Sequence, residues 1–232
     1  MNNSIKIRKI VVISVLAAII IVLQVLGNLF GSLFANGLAL GLIPICIGSI
    51  LYGPFIGMLL GGVMSAVIML HFPNYSIMET GLDTFKLMLI MVIKTPLAGF
   101  VSGLIFDLFN KIASKKANRK SQLALITAGI FVSSIAVVIV NTGTYVLMML
   151  SLFTSGDGFN LNNLVGKDLG GRTYNSAMSI VLLYQVGFNF ILELIIAFVT
   201  GPALSTIIRV MTRRKDMGYR YNFSELLKRG GE

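Results

Sequence analysis

IVVISVLAAIIIVLQVLGNLFGSLFANGLALGLIPICIGSILYGPFIGMLLGGVMSAVIMLHFPNYSIM, residues Ile10–Met78, contains no Asp, Glu, Lys or Arg. As a single helix rising about 1.5 Å per residue it would be roughly three times longer than the ~30 Å hydrocarbon core of a bilayer. The stretch must therefore fold back on itself, and the chain crosses a membrane repeatedly. Composition agrees: of 232 residues 56% are hydrophobic and 12% charged, with a mean hydropathy of +0.87, which excludes an ordinary soluble domain. At about 20 residues per span, this length suits an all-α, polytopic bundle of about six transmembrane helices, a single domain over residues 1–232.

Polar breaks place the spans. Ile10–Phe30 reads as the first, ended by Asn28, Gly31, Ser32, Asn36 and Gly37. It is long for a signal core and lacks an A-x-A cleavage site, so it is read as a retained helix. Leu38–Tyr52 and Pro54–Phe72 follow, hinged at Gly53-Pro54, where proline presets the first-turn φ. The second span is short. Either it tilts into the core, or residues 37–53 include non-helical backbone sheltered by neighbouring helices. Phe72–Thr84, with Pro73, Asn74, Glu79, Gly81 and Asp83, reads as a loop, and Leu87–Phe109, Leu123–Phe153 and Ala177–Met211 are the last three spans.

Loops rich in Lys and Arg stay cytoplasmic. Lys6, Arg8 and Lys9 precede the first span, Lys111, Lys115, Lys116, Arg119 and Lys120 separate the fourth from the fifth, and Arg209, Arg213, Arg214, Lys215, Arg220, Lys228 and Arg229 follow from the end of the sixth. Six spans with both termini cytoplasmic put all three clusters on one side, and Glu79, Asp83, Asp157 and Asp168 on the other. The net charge of +10 is thus topological and calls for no nucleic acid. In the tail from Ser224, Leu226 and Leu227 beside Lys228 and Arg229 fit either an amphipathic turn on the headgroups or a disordered end.

Lys94 and Glu193 are ionisable groups well inside spans, where each costs several kcal/mol unless paired or wet. Counting about 1.5 Å per residue, Lys94 in span four, Asn141, Thr142, Thr144 and Tyr145 in span five, and Gln185 and Asn189 in span six fall at similar depths in the outer half of the bilayer. Gln185, Asn189 and Glu193 recur every four residues, on one helical face. Lys94, Asn141, Thr144, Tyr145, Tyr184, Gln185, Asn189 and Glu193 are therefore the candidate substrate-binding residues. One cation, one anion, amides and tyrosines suit a small polar organic ligand, and Lys94 favours a carboxylate-bearing one. The Gly- and Asn-rich segment Thr154–Asn175 is a candidate lid. A second reading stands beside this one: Lys94 snorkels or bridges to Glu193 as a strut, and the amides join helices.

Gly37-x3-Gly41, Gly53-x3-Gly57-x3-Gly61 and Gly99-x3-Gly103 place glycines on single helix faces, where backbones approach closely. Ser14 and Ala18 form a small patch on the bulky first helix, a candidate partner-binding surface. Cys46 is the only thiol, so neither a disulfide within the chain nor a thiolate metal cluster is possible. His71 is the only histidine, beside Ser76 but without a G-x-S-x-G elbow or an H-E-x-x-H helix. These absences argue against an enzyme, a metal centre and a cofactor. No P-loop is present either, so any use of ATP belongs to a partner.

The run LGLIPICIGSILYGPFIG from Leu40 to Gly57, the span-four run KTPLAGFVSG from Lys94 to Gly103, and Asn141-Thr-Gly143 resemble an S component of an energy-coupling factor vitamin transporter. The resemblance covers nearly the whole chain. It implies a six-helix bundle in a prokaryotic plasma membrane that captures a water-soluble vitamin from outside. It also implies as partners, besides membrane lipid, a transmembrane coupling subunit and two cytoplasmic ATPase subunits, with toppling of the S component to release its cargo. Members of that family often carry an Ala-x3-Ala patch on the first span for the coupling subunit; Ser14 and Ala18 stand at the matching positions. Two rival readings are a ligand-free membrane scaffold and a self-sufficient secondary transporter, for which Glu193 is the only acidic residue deep enough to carry a proton.

Overall fold

The computed structural model of the chain describes residues 3–29, 38–71, 84–154, 160–169, 171–211 and 219–220. Gly37, the 72–83 loop with Ser76, Glu79 and Asp83, then Asp157, and the tail from Ser224 lie outside these residues, as does the side chain of His71. Among the described residues the architecture is all-helical: α1 (Asn3–Leu29), α2 (Leu42–Tyr52), α3 (Pro54–His71), α4 (Thr84–Ser114), α5 (Arg119–Phe153), a 3-10 turn at Leu161–Leu164, α6 (Ala177–Ser179), a π-helical segment (Ile180–Val186) and α7 (Gly187–Met211).

Helices spanning Asn3–Gly27, Phe85–Ser114, Lys120–Phe153 and Ala177–Thr206 are long and apolar enough to cross a membrane, and α2 and α3 are shorter. The chain is a multi-pass membrane protein. α2 has 11 residues and reaches about 16 Å, half of the hydrocarbon core. Residues 38–41 ahead of it are not helical, so of the two readings of the short second span the structure takes the one with irregular backbone. Such backbone survives at membrane depth only when its polar groups are paired. Leu38 N–H donates to the Gly27 carbonyl of α1 at 3.2 Å, and Leu42 N–H to the Ala39 carbonyl at 3.1 Å. α2 itself is enclosed on every side, with Leu42, Ile45, Cys46, Ile50 and Leu51 all buried. It ends at Gly53, whose φ of 96° only glycine adopts without strain, and Pro54 starts α3 at once.

α3 and α4 run antiparallel along a seam of small residues. A Cβ added at Gly57 would strike the Gly99 carbonyl, one at Gly61 the Thr95 carbonyl and Pro96 Cα, and one at Gly103 the Pro54 backbone. Ser65 Oγ extends the same seam by donating to the Met91 carbonyl at 2.7 Å. Lipid tails are as apolar as leucine, so close packing and hydrogen bonds, rather than withdrawal from water, hold such helices together. A line of hydroxyls adds to this: Ser49 Oγ on α2 lies 3.3 Å from Ser102 Oγ on α4, which lies 3.2 Å from the Ser133 carbonyl on α5. On the outside, α1 exposes Ile10, Val11, Val15, Ile19 and Val22, and α7 exposes Phe188, Ile191, Ile195, Phe198 and Val199. These are the surfaces that lipid covers.

The seam predicts a position-specific response. Gly57→Ala should lower the unfolding temperature of the purified protein, because overpacking costs about 1–3 kcal/mol. Gly62→Ala on the same helix, where an added Cβ meets nothing within 4 Å, should leave it unchanged or raise it. Equal losses at both positions in one detergent would refute the seam.

Candidate functional site

Two successive amides of the irregular 38–41 segment bond to different helices, Leu38 to α1 and Ala39 to α7, and the α7 side brings in the first functional residue. Glu193 is buried, and its Oε1 accepts the Ala39 N–H at 2.8 Å across 154 residues of sequence. A carboxylate here does what no uncharged helix partner nearby does: it satisfies a backbone donor exposed by the break in helicity, at the positive end of α2. A bond of this charge-assisted kind contributes about 1.5–3 kcal/mol.

Lys94 sits on α4 immediately before the Thr95–Pro96 backbone that meets Gly61. Proline has no N–H to give to the carbonyl four residues back, which loosens the turn that carries Lys94. The Lys94 ammonium lies 5.1 Å from the ring centroid of Tyr145 on α5, a cation–π contact. Tyr145 in turn donates its hydroxyl to Gln185 Oε1 at 3.4 Å. Next to Lys94, buried Thr95 donates to buried Asn141 Oδ1 at 3.3 Å. Four elements thus converge: α4 supplies Lys94 and Thr95, α5 supplies Asn141 and Tyr145, the π-helical segment supplies Gln185, and α7 supplies Glu193. Asn189, half-buried, stands between Gln185 and Glu193 on the same rod.

Among the described residues no ion pair joins Lys94 to Glu193. Their charges act on each other, but the Glu193 carboxylate is taken by the Ala39 amide and the Lys94 ammonium by the Tyr145 ring. The direct strut is therefore absent. Tyr184 stands apart from this group: it is exposed, and its ring meets that of Tyr174 at 6.1 Å. Thr144 is half-buried on α5. Sequence reasoning missed Thr95 and the Ala39 amide. Thr95 was within reach of inference as the neighbour of Lys94 ahead of a proline.

Past Glu193, a cavity of about 20 Å³ between Ala39, Ile43, Ser134, Val138 and Thr200 has room for about one water. A second, open groove of about 670 Å³ lies at the surface between Arg172, Tyr174, Leu183 and Phe188. It shares no residue with the Lys94 group. In the described part of the segment after α5, Leu161 and Tyr174 are buried against Leu87, Ile90, Met149 and Phe153. An antiparallel bridge between Asp168 and Thr173 closes its tip. Ser14 and Ala18 are exposed on α1, on the side away from its buried Leu16 and Ile20.

The model of the family described as ECF transporter, substrate-specific component, matches residues 8–205. Comparison with curated proteins and with solved structures gives no match.

If Glu193 serves the backbone rather than Lys94, its removal should be costly in either background. Glu193→Ala leaves the Ala39 N–H without its acceptor and should destabilise the purified protein by about 1–3 kcal/mol, both in wild type and in Lys94→Ala. Thermal unfolding of the four proteins of this cycle checks it. A loss that vanishes in the Lys94→Ala background would instead make the two charges one unit.

Proposed function

The chain belongs to the family of ECF transporter substrate-specific components, which are substrate-binding subunits and not enzymes, and on that premise we propose that it captures a small, carboxylate-bearing, water-soluble vitamin from outside the cell. One observation carries the choice of ligand: Lys94, a cation inside a span, has the Tyr145 ring on one side and, among the described residues, no carboxylate in salt-bridge contact. Its N–H donors are open to a ligand anion, and a desolvated charge-assisted bond there contributes about 1.5–3 kcal/mol. Asn141, Thr144, Tyr145, Gln185 and Asn189 hold the polar remainder of the ligand, with Tyr184 at the rim. Glu193 shapes the floor by fixing the 38–41 segment. The segment Thr154–Asn175 is the lid at the outer end, a reading supported by the burial of Leu161 and Tyr174.

Delivery inward is the work of a partner module, a transmembrane coupling subunit with two cytoplasmic ATPases, in a prokaryotic plasma membrane with both termini of this chain cytoplasmic. The exposed Ser14 and Ala18 patch supports α1 as the contact for the coupling subunit. It is a shallow strip on a helix otherwise lined by Ile, Val and Leu, and small residues let a partner backbone come close.

Thermal unfolding across a panel of vitamins tests capture. A ligand at a thousandfold excess over its Kd should stabilise the protein by about 4 kcal/mol, and Lys94→Ala should weaken carboxylate ligands roughly tenfold or more. No shift with any vitamin would favour a ligand-free scaffold. Uptake into liposomes driven by an ion gradient, without ATPase partners, would favour a secondary transporter. For coupling, Ala18→Leu should abolish uptake in cells while leaving the affinity of the isolated protein intact; unchanged uptake would remove α1 from the interface.

A further inference from the structure

α2 is held at both ends by polar clamps from distant parts of the chain. At its start the Glu193 carboxylate takes the Ala39 amide. At its end the described tail residues Tyr219 and Arg220 fold back onto the hinge. Arg220 N–H donates to the Leu51 carbonyl at 2.9 Å, and the Tyr219 ring meets the Tyr52 ring at 5.5 Å. The Arg220 guanidinium pairs with Asp107 on α4 at 2.9 Å. It lies so close over Gly53 that a Cβ there would collide with it, which gives the hinge glycine a second purpose besides its positive φ. Lys9 of α1 adds its ammonium 5.5 Å from the Tyr52 ring.

The rod between the two clamps is buried along most of its length, with Ile43 and Ile47 half-buried. Cys46, Ile50 and Leu51 are almost wholly buried, and Gly48 packs directly against Leu60 and Leu16. A short helix enclosed this tightly shifts as a body rather than bending, because a close-packed interior passes displacement on to its neighbours. The Leu51 carbonyl and the Ala39 amide are then the two ends of one lever.

We infer that Arg220 is a positioning residue for the ligand site: by holding the Leu51 end of α2 against Asp107, it keeps the Ala39 amide in reach of Glu193. The cytoplasmic tail is in this way mechanically joined to the floor of the pocket through α2, from Leu51 back to Ala39. This rests on the assignment of the Lys94–Glu193 region as the ligand site, but its test uses no ligand, so the two readings fail separately.

Hydrogen–deuterium exchange of the full chain in lipid nanodiscs is the test, followed in peptides covering residues 38–45, 49–57 and 125–140. Arg220→Ala should accelerate exchange in 49–57 and, at least about tenfold, in 38–45, while 125–140 on α5 stays as in wild type. Asp107→Asn, which cuts the same clamp from its other side, should reproduce the pattern. In a Glu193→Gln background the effect of Arg220→Ala on 38–45 should shrink, because that end is already loosened. Acceleration confined to 49–57 in both variants overturns the inference, as does acceleration that spreads equally into α5 in both.

Discussion

A backbone amide in hydrocarbon must find a partner within the protein, and the bond between Ala39 N–H and the Glu193 carboxylate is where this chain meets that demand. Much else depends on it. Because the amide is satisfied across the bundle, the chain can leave the helical path at 38–41 and enter the membrane as a half-length helix. Because α2 is only half-length, α3 must begin at once, and Gly53-Pro54 makes that turn. Because Glu193 is committed to the backbone, Lys94 among the described residues has the Tyr145 ring as its contact rather than an ion pair. A buried acid that reads as half of a salt bridge is in the fold the acceptor for a main-chain amide.

The packing around this bond follows the economy of membrane helices. The small-residue seam of α3 on α4 and the Ser49–Ser102–Ser133 line give contacts that lipid cannot imitate. They also fix the site. Gly61 lies against the Thr95–Pro96 turn, so the register of the seam sets where Lys94 stands along α4. Two buried clusters divide the bundle. One is centred on α2, with Ile45, Leu60, Met64 and Phe106. The other gathers Leu87, Met149 and Phe153 beneath Leu161 and Tyr174. Lys94, Thr95, Asn141 and Tyr145 lie on α4 and α5, the helices that contribute to both.

Much of the fold was legible in the sequence, because the absence of charge over Ile10–Met78 admits only membrane helices and the Gly-x3-Gly spacings mark the seam. Depth arithmetic also matched residues that touch: Lys94 with Tyr145, and Tyr145 with Gln185. What the sequence withheld was pairing and phase. Nothing local announces that Glu193 meets Ala39, since the bond spans 154 residues and its donor is main chain. The π-helical segment Ile180–Val186 shifts the i→i+4 register on which a helical-wheel argument relies, and Tyr184 turns out to the Tyr174 ring while its neighbour Gln185 turns in. The tail clamp was illegible for a similar reason: in sequence Arg220 is one more member of a basic cluster, and only the fold sets it over Gly53.

The central claim is that Lys94, among converging amides and Tyr145, holds a small anionic nutrient. The most direct measurement is mass spectrometry of the small molecules released when protein, purified from membranes of cells grown on a vitamin-rich medium, is denatured. The account predicts one carboxylate-bearing nutrient in near-equimolar amount from wild type and its depletion from Lys94→Ala protein of equal fold. Identical small-molecule content in the two proteins would contradict it.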